Sequence, residues 1–154
     1  MSSGPQRARG FSLVELLVTL AILAILGSLA VGSYRQYLRR THRVDATTAL
    51  LRLAAAQEKH YAQNGRYADA GALSLPPPAG LGIAGTGRGY YTLDILVGAG
   101  GAATGYTATA TVASGGPQAD DDDCWVFTLD ERGLRGAIDR SGDAPPSSGT
   151  DCWR

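Results

Sequence analysis

Charge is almost missing where this chain would need it to stay in water. From Phe11 to Tyr34 the sequence reads FSLVELLVTLAILAILGSLAVGSY, and Glu15 is its only charged side chain. Proline is absent from residues 11–75, so nothing there forbids one uninterrupted helix. An excess of either charge is missing too: Lys+Arg 14 against Asp+Glu 14 excludes a nucleic-acid binder that works by bulk charge. Lysine is reduced to Lys59, the remaining basic residues all being arginine, which reflects a coding bias more than chemistry. Histidine is limited to His42 and His60, with no acidic or cysteine partner at ligand spacing, so no metal set is assigned. Ser147-Ser148 has no histidine nearby, and Gly80-Leu81-Gly82 does not join a strand to a helix. Neither a catalytic constellation nor a phosphate cradle emerges, so the expectation is no enzyme and no cofactor.

What is present begins with the apolar run. About 20 apolar residues suffice to cross the hydrocarbon core of a bilayer. A carboxylate near the middle of such a helix costs roughly 2.5–3.5 kcal/mol on insertion scales and is unwelcome near either end. Glu15 therefore reads as functional, with a partner to be found outside this helix. Residues 1–10, MSSGPQRARG, form a short basic leader carrying Arg7 and Arg9, which hold the preceding side in the cytoplasm. An ordinary secretory signal is cut after its apolar segment; here the small residue, Gly10, comes before it. Cutting after Gly10 would free the amine of Phe11 four residues from Glu15, on the same helical face. Glu15 could then neutralise its own amine or that of an adjacent copy.

Gly10-Phe11-Ser12-Leu13-Val14-Glu15 followed by an apolar helix resembles the N-terminal signal of type IV prepilins and pseudopilins. The resemblance implies that a prepilin peptidase cuts between Gly10 and Phe11 and methylates the new terminus. It also implies that Glu15 pairs with the terminal amine of a neighbouring subunit during filament assembly. The alternative is a plain signal anchor carrying an incidental glutamate.

The helix is expected to run on from residue 11 to about residue 64, roughly 80 Å at 1.5 Å per residue. Asn64-Gly65 supplies its stop signal. The organisation expected is a leader over 1–10, a membrane or filament-core half over 11–34, an amphipathic half over 35–64 and a head over 65–154. In the amphipathic half, Leu50, Leu51, Ala54, Ala55, Glu58 and Tyr61 recur at helical spacing and are read as the packed face. The arginines of 35–43 form a solvated face, with subunit or headgroup contacts as alternatives. Pilins of the resembled family often carry a proline where Gly32 stands; Gly27 and Gly32 weaken the helix here without a kink. Residues 65–89, rich in glycine and holding Pro76-Pro77-Pro78, read as a long loop. Alternation over Tyr91–Val97, Tyr106–Val112, Trp125–Leu129 and Leu134–Ile138 predicts four antiparallel strands, with a hairpin turn at Asp130–Gly133. The fold class is therefore α+β, a long helix packed on a small antiparallel sheet.

Cys124 and Cys152 are the only cysteines, and an even pair in an exported protein favours a disulfide. The chain-entropy value for such a loop is roughly 3–4 kcal/mol. The pair resembles the disulfide-bonded region of type IV pilins. Together with Tyr61–Tyr67 and the ending Asp151-Cys152-Trp153-Arg154, it is similar to PilE-type minor pilins. Asp120–Asp123 reads as a solvated acidic edge, with Ca²⁺ ligation as the alternative; the expected alternation of ligands is missing. The function implied is a structural, minor pilus subunit supporting pilus biogenesis, twitching motility or adhesion. Its implied partners are other pilins, the inner membrane, the prepilin peptidase and the assembly machinery, and nucleic acid is not among them. Its implied location is the bacterial inner membrane, with the head periplasmic, and then the extracellular pilus. The alternatives are a type II secretion pseudopilin and a DNA-uptake or adhesive subunit that binds through its 65–123 loops.

Overall fold

The computed structural model describes residues 12–145 and 149–154, so Gly10, Phe11 and Ser147-Ser148 lie outside the described residues. Its elements are helix α1 (Leu13–Asn64), a 3-10 turn (Ala70–Ala72), strands β1 (Tyr91–Val97), β2 (Tyr106–Val112), β3 (Val126–Asp130) and β4 (Arg135–Ile138), and a short helix α2 (Gly149–Cys152). The chain divides into two units, one ending at Tyr37 and the other running Leu38–Arg154. Each is described by itself.

Helix α1 begins where sequence chemistry favours a start. The Ser12 carbonyl accepts the Leu16 N–H at 3.1 Å, and Ser12 with Glu15 has the spacing of a capping box. No proline interrupts the 52 residues that follow. The helix ends at Asn64, where Gly65 takes φ +67 and donates its N–H to the Tyr61 carbonyl at 2.8 Å. A left-handed residue just past a helix is a natural glycine position.

The second unit is built on a four-stranded antiparallel sheet in the order β1-β2-β3-β4. Adjacent strands in sequence are adjacent in space, so each pair forms by a hairpin-type connection. Register places Ile95 opposite Ala108, Ala110 opposite Phe127, and Phe127 opposite Ala137. Because side chains alternate faces, these residues share the inner face with Tyr91, Tyr106, Val112 and Leu129. All of them are buried with Ala46, Leu50 and Leu53 of α1. Full burial of each large apolar side chain contributes about 1.5–3 kcal/mol. Alanines in the middle strand leave room for the bulk of Phe127, Leu50 and Leu53. The outer face carries a band of threonines, Thr92, Thr107, Thr109, Thr111 and Thr128, with Leu96, Val126 and Ile138 among them.

The packed face of α1 differs from the one read off the sequence. Ala46, Ala49, Leu50, Leu53, Gln57 and His60 are buried, whereas Leu51 is 47% exposed and Ala55, Glu58 and Tyr61 are also exposed. Leu50 and Ala54 do turn toward the core. The face read off the sequence straddles two neighbouring stripes of the helix, and the sheet covers the one that also presents Gln57. The Gln57 side chain donates to the Ala68 carbonyl at 2.8 Å and accepts the Ala68 N–H at 2.7 Å, giving each end of a buried amide a partner. That clamp fixes the chain as it leaves α1.

The loop after α1 is more ordered than expected. Asp69 caps the 3-10 turn by accepting the Ala72 N–H at 3.2 Å. Leu81 and Ile83, both buried, donate to the carbonyls of Ala72 and Leu73 at 3.0 and 2.9 Å. Gly80 sits where any Cβ would collide with the Ala72 carbonyl and with Leu75.

Cys124 and Cys152 are bonded, with Cα atoms 5.8 Å apart and both residues fully buried. Trp153 follows directly, donating its indole N–H to the Gly136 carbonyl at 2.7 Å, and its ring meets Phe127 edge-on. The C-terminal segment is thereby held on β4.

Candidate functional site

In the first unit, every described side chain from Ser12 to Tyr37 is exposed. Leu13 is 75% and Leu29 70% exposed on this apolar helix. Thr19 and Ser28 add little polarity, because each hydroxyl donates back to a carbonyl three residues earlier. Such a surface is unstable in water and requires a nonaqueous cover. By length and composition the helix can cross a membrane.

Glu15 stands in the first turn of this helix, exposed among leucines and valines. Two roles are open to it there. As a first-turn acid it meets the positive end of the helix dipole, worth about 0.3–1 kcal/mol at an exposed site. As a carboxylate in an apolar surface it attracts a cation strongly once water is gone. The second effect is the larger, because attraction between charges grows as the surroundings exclude water. Gly10 and Phe11, its expected companions, lie outside the described residues.

In the second unit the segment between β2 and β3 is anchored to α1 by a polar cluster that sequence reading missed. Arg43 donates from Nε to Asp121 Oδ2 at 2.7 Å and from Nη2 to Oδ1 at 2.6 Å, a two-point pair. Gln118, fully buried, donates from Nε2 to the Arg39 carbonyl at 3.0 Å and to Asp121 Oδ2 at 2.7 Å. Its oxygen therefore faces His42, whose Nδ1 donates across 3.1 Å. Tyr90 packs on the His42 ring at 4.5 Å. Burial opposes the Arg43 charge, but the hydrogen bond and charge of Asp121 outweigh it and raise the guanidinium pKa. Burial also raises the Tyr91 phenol, with the Asp121 charge adding to the effect.

The acidic run 120–123 is thus not one solvated edge. Asp120, Asp122 and Asp123 are exposed, but Asp121 is 1% exposed and committed to Arg43. Arg43, expected on a solvated face, is its partner. No local signal distinguishes Asp121 from its neighbours, since its partner lies 78 residues away.

A second anchor holds the end of the long loop. Asp45 on α1 accepts the N–H groups of Arg88 and Tyr90 at 3.0 and 3.3 Å. Beside it, Thr41, Val44, Asp45, Thr48, Gly87 and Arg88 line an open groove of about 400 Å³.

Comparison with known proteins bears on both units. Residues 5–31 match the family described as prokaryotic N-terminal methylation motif. Residues 32–128 match the family described as type IV minor pilin ComP, DNA uptake sequence receptor. The chain is similar to the fimbrial protein EcpC of Eikenella corrodens, with 34% identity over 111 residues, 72% of this chain and 67% of that one. It is also 33% identical over 75 residues to the type IV major pilin protein PilA of Myxococcus xanthus (strain DK1622), a match that covers 48% of this chain and 34% of that protein. Among solved structures, a type IV pilin from Shewanella oneidensis is 27% identical with a TM-score of 0.44, covering 63% of this chain and 89% of that one. A helix apolar and long enough to cross a membrane, an N-terminal methylation motif and a match over most of the remaining chain agree: this chain belongs to the type IV minor pilin family.

Proposed function

We propose that the chain is made as a prepilin in the bacterial inner membrane, with residues 1–10 cytoplasmic and the head periplasmic. A prepilin peptidase cuts between Gly10 and Phe11 and methylates the Phe11 amine. The pilus assembly machinery then moves the subunit into a filament, where Glu15 pairs with the Phe11 amine of a neighbour. Residues 11–34 enter the filament core, 35–64 continue the helix, and 65–154 form the exposed head. The observation that carries this reading is Glu15, the sole charge in a segment exposed on all sides and too apolar for water. A carboxylate in such a place costs energy in a bilayer and regains it only by meeting a cation. The N-terminal methylation motif over residues 5–31 supports the processing steps.

Glu15→Leu separates this reading from passive tolerance of the bilayer. Cleavage after Gly10 is expected to persist, because the cut bond is five residues away. Recovery of this subunit in sheared filaments is expected to drop sharply, with Glu15→Asp in between. Normal incorporation of the leucine variant, measured on this subunit and not on total pilus, would falsify the pairing.

A second reading is favoured by one observation, the description of the matched family as a DNA uptake sequence receptor. Exposed Arg66 and Arg88 in the head loops offer phosphate contacts, although acids outnumber bases in the unit beginning at Leu38. A DNA receptor built this way must work through a local basic patch. Its affinity for double-stranded DNA should fall with the logarithm of salt concentration and weaken in Arg66→Gln and Arg88→Gln. Salt-independent or undetectable binding removes this reading and leaves the structural one intact.

A further inference from the structure

The sheet order β1-β2-β3-β4 leaves β1 with a single strand neighbour, so it is an edge strand. The Ala113 N–H donates to the Tyr90 carbonyl and the Gly98 N–H to the Gly105 carbonyl. Bonded positions alternate along an antiparallel pair, so Thr92, Asp94 and Leu96 also turn their backbone groups toward β2. Tyr91, Leu93, Ile95 and Val97 turn theirs to the other side. At one end that side is closed by Thr86, whose hydroxyl donates to the Tyr91 carbonyl at 3.2 Å. In the middle, Asp94 Oδ1 accepts the Ile95 N–H at 2.8 Å. Among the described residues, no hydrogen bond reaches the outward N–H or carbonyl of Leu93 or Val97. In composition the strand is made to pair. Its seven residues, YTLDILV, include neither glycine nor proline, and Asp94 is their only charge. Leu96 is 59% and Val97 43% exposed. An apolar, strand-forming segment on a sheet edge is a template for another chain.

We infer that Asp94 is a guard that keeps this edge from pairing with β1 of a second copy of the chain. A second copy is the occupant that the strand's own register selects. Antiparallel pairing about a two-fold axis sets Ile95 opposite its own counterpart and Leu93 opposite Val97 of the other copy. The open backbone groups of Leu93 and Val97 are then matched twice over. The two central bonds of that ladder need both Ile95 N–H groups, and Asp94 already holds each of them. The same register lays each Asp94 against Leu96 of the other copy, an apolar neighbour for a charge. Sliding the strands by two residues, so that Leu93 meets Ile95, brings the two Asp94 carboxylates opposite each other, which is also unfavourable. One aspartate thus opposes both registers, by occupying a donor and by its charge. The inference concerns the folded head and does not depend on the filament reading.

Sedimentation of the full chain in detergent tests it. Asp94→Val keeps a strand-forming residue, frees the Ile95 N–H and removes the charge. Its self-association should be roughly tenfold tighter than that of the parent chain. Thr92→Val, an apolar gain on the same outer face that leaves Asp94 in place, should associate like the parent. Adding Val97→Pro to Asp94→Val removes an outward N–H from the ladder and should return association to the parent value. Hydrogen exchange gives a second readout, because the Val97 amide of Asp94→Val should gain protection as concentration rises. Parent-like association of Asp94→Val at an unchanged Tm overturns the inference. So does an increase that Thr92→Val shares, or one that Val97→Pro leaves intact. If Asp94→Val lowers Tm, the more polar Asp94→Thr takes its place under the same expectations.

Discussion

Asp121 differs from Asp120, Asp122 and Asp123 only in what stands opposite. With 13% of the Arg43 side chain and 1% of the Asp121 side chain exposed, the pair is nearly dry. Removing one partner of such a pair leaves a buried charge without compensation, at about 3–5 kcal/mol. Asp121→Ala is therefore expected to fall in the lower part of that range, because Arg43 keeps some access to water. The double variant Arg43→Met with Asp121→Leu should recover much of the loss, since the two charges then leave together. Denaturant unfolding of the single and double variants checks this. Additive losses would show that the pair is not coupled. Gln118 and His42 extend the same logic, because each is hydrogen-bonded to another member of the cluster.

Among the elements, α1 carries two apolar stripes and uses one inside the chain. On the buried side Gln57 and His60 also meet backbone partners, at Ala68 and Arg66. The loop after α1 depends instead on a glycine. A side chain at Gly80 would meet the Ala72 carbonyl and Leu75, so the backbone there must move. Gly80→Ala is expected to destabilise by about 1–3 kcal/mol, the usual range for overpacking. Hydrogen exchange should quicken at the Leu81 and Ile83 amides, whose bonds to Ala72 and Leu73 hold the loop. Unchanged protection at both amides would mean that the loop yields without cost.

The head as a whole is closed by its disulfide. The bridge spans 28 residues from just before β3 to α2, and the entropy of that loop in the unfolded chain is worth roughly 3–4 kcal/mol. Cys152→Ser in the detergent-solubilised chain should lower Tm by on the order of 10 °C or more. An unchanged Tm would show that the bridge contributes nothing to stability. Acid should act on the head as well. Burial opposes it, but hydrogen bonds from Leu134 and Arg132 lower the Asp130 pKa. Bonds from Ser141, and from the backbone of Asp143, lower that of Asp139. A carboxyl with a depressed folded-state pKa stabilises fully above its unfolded value and loses that stability as pH falls through the folded value. Unfolding midpoints should thus hold near neutrality and decline only below about pH 4. Asp130→Asn combined with Asp139→Asn should flatten the decline, and an unaltered acid profile would assign it to other carboxyls.

The sequence by itself determined the long apolar N-terminal helix and the four strands, but not the 3-10 turn at Ala70–Ala72 or the short helix α2. Helical and strand periodicities are local, and the stop at Asn64-Gly65, the turn at Asp130–Gly133 and the strand runs all lie within a few residues of their causes. The motif around Gly10, Phe11 and Glu15 is local in the same sense. The partners were another matter. Which stripe of α1 faces the sheet, which aspartate of four is buried, and which arginine pairs with it depend on residues brought together across separations of up to 79 positions. Sequence pattern shows that Leu50 and Leu51 both belong to apolar stripes, but only packing against Ala108, Ala110 and Phe127 buries the first and leaves the second in solvent. A one-residue step along a helix turns a side chain by about 100°, and the energy that decides between two such orientations resides in the surface it meets.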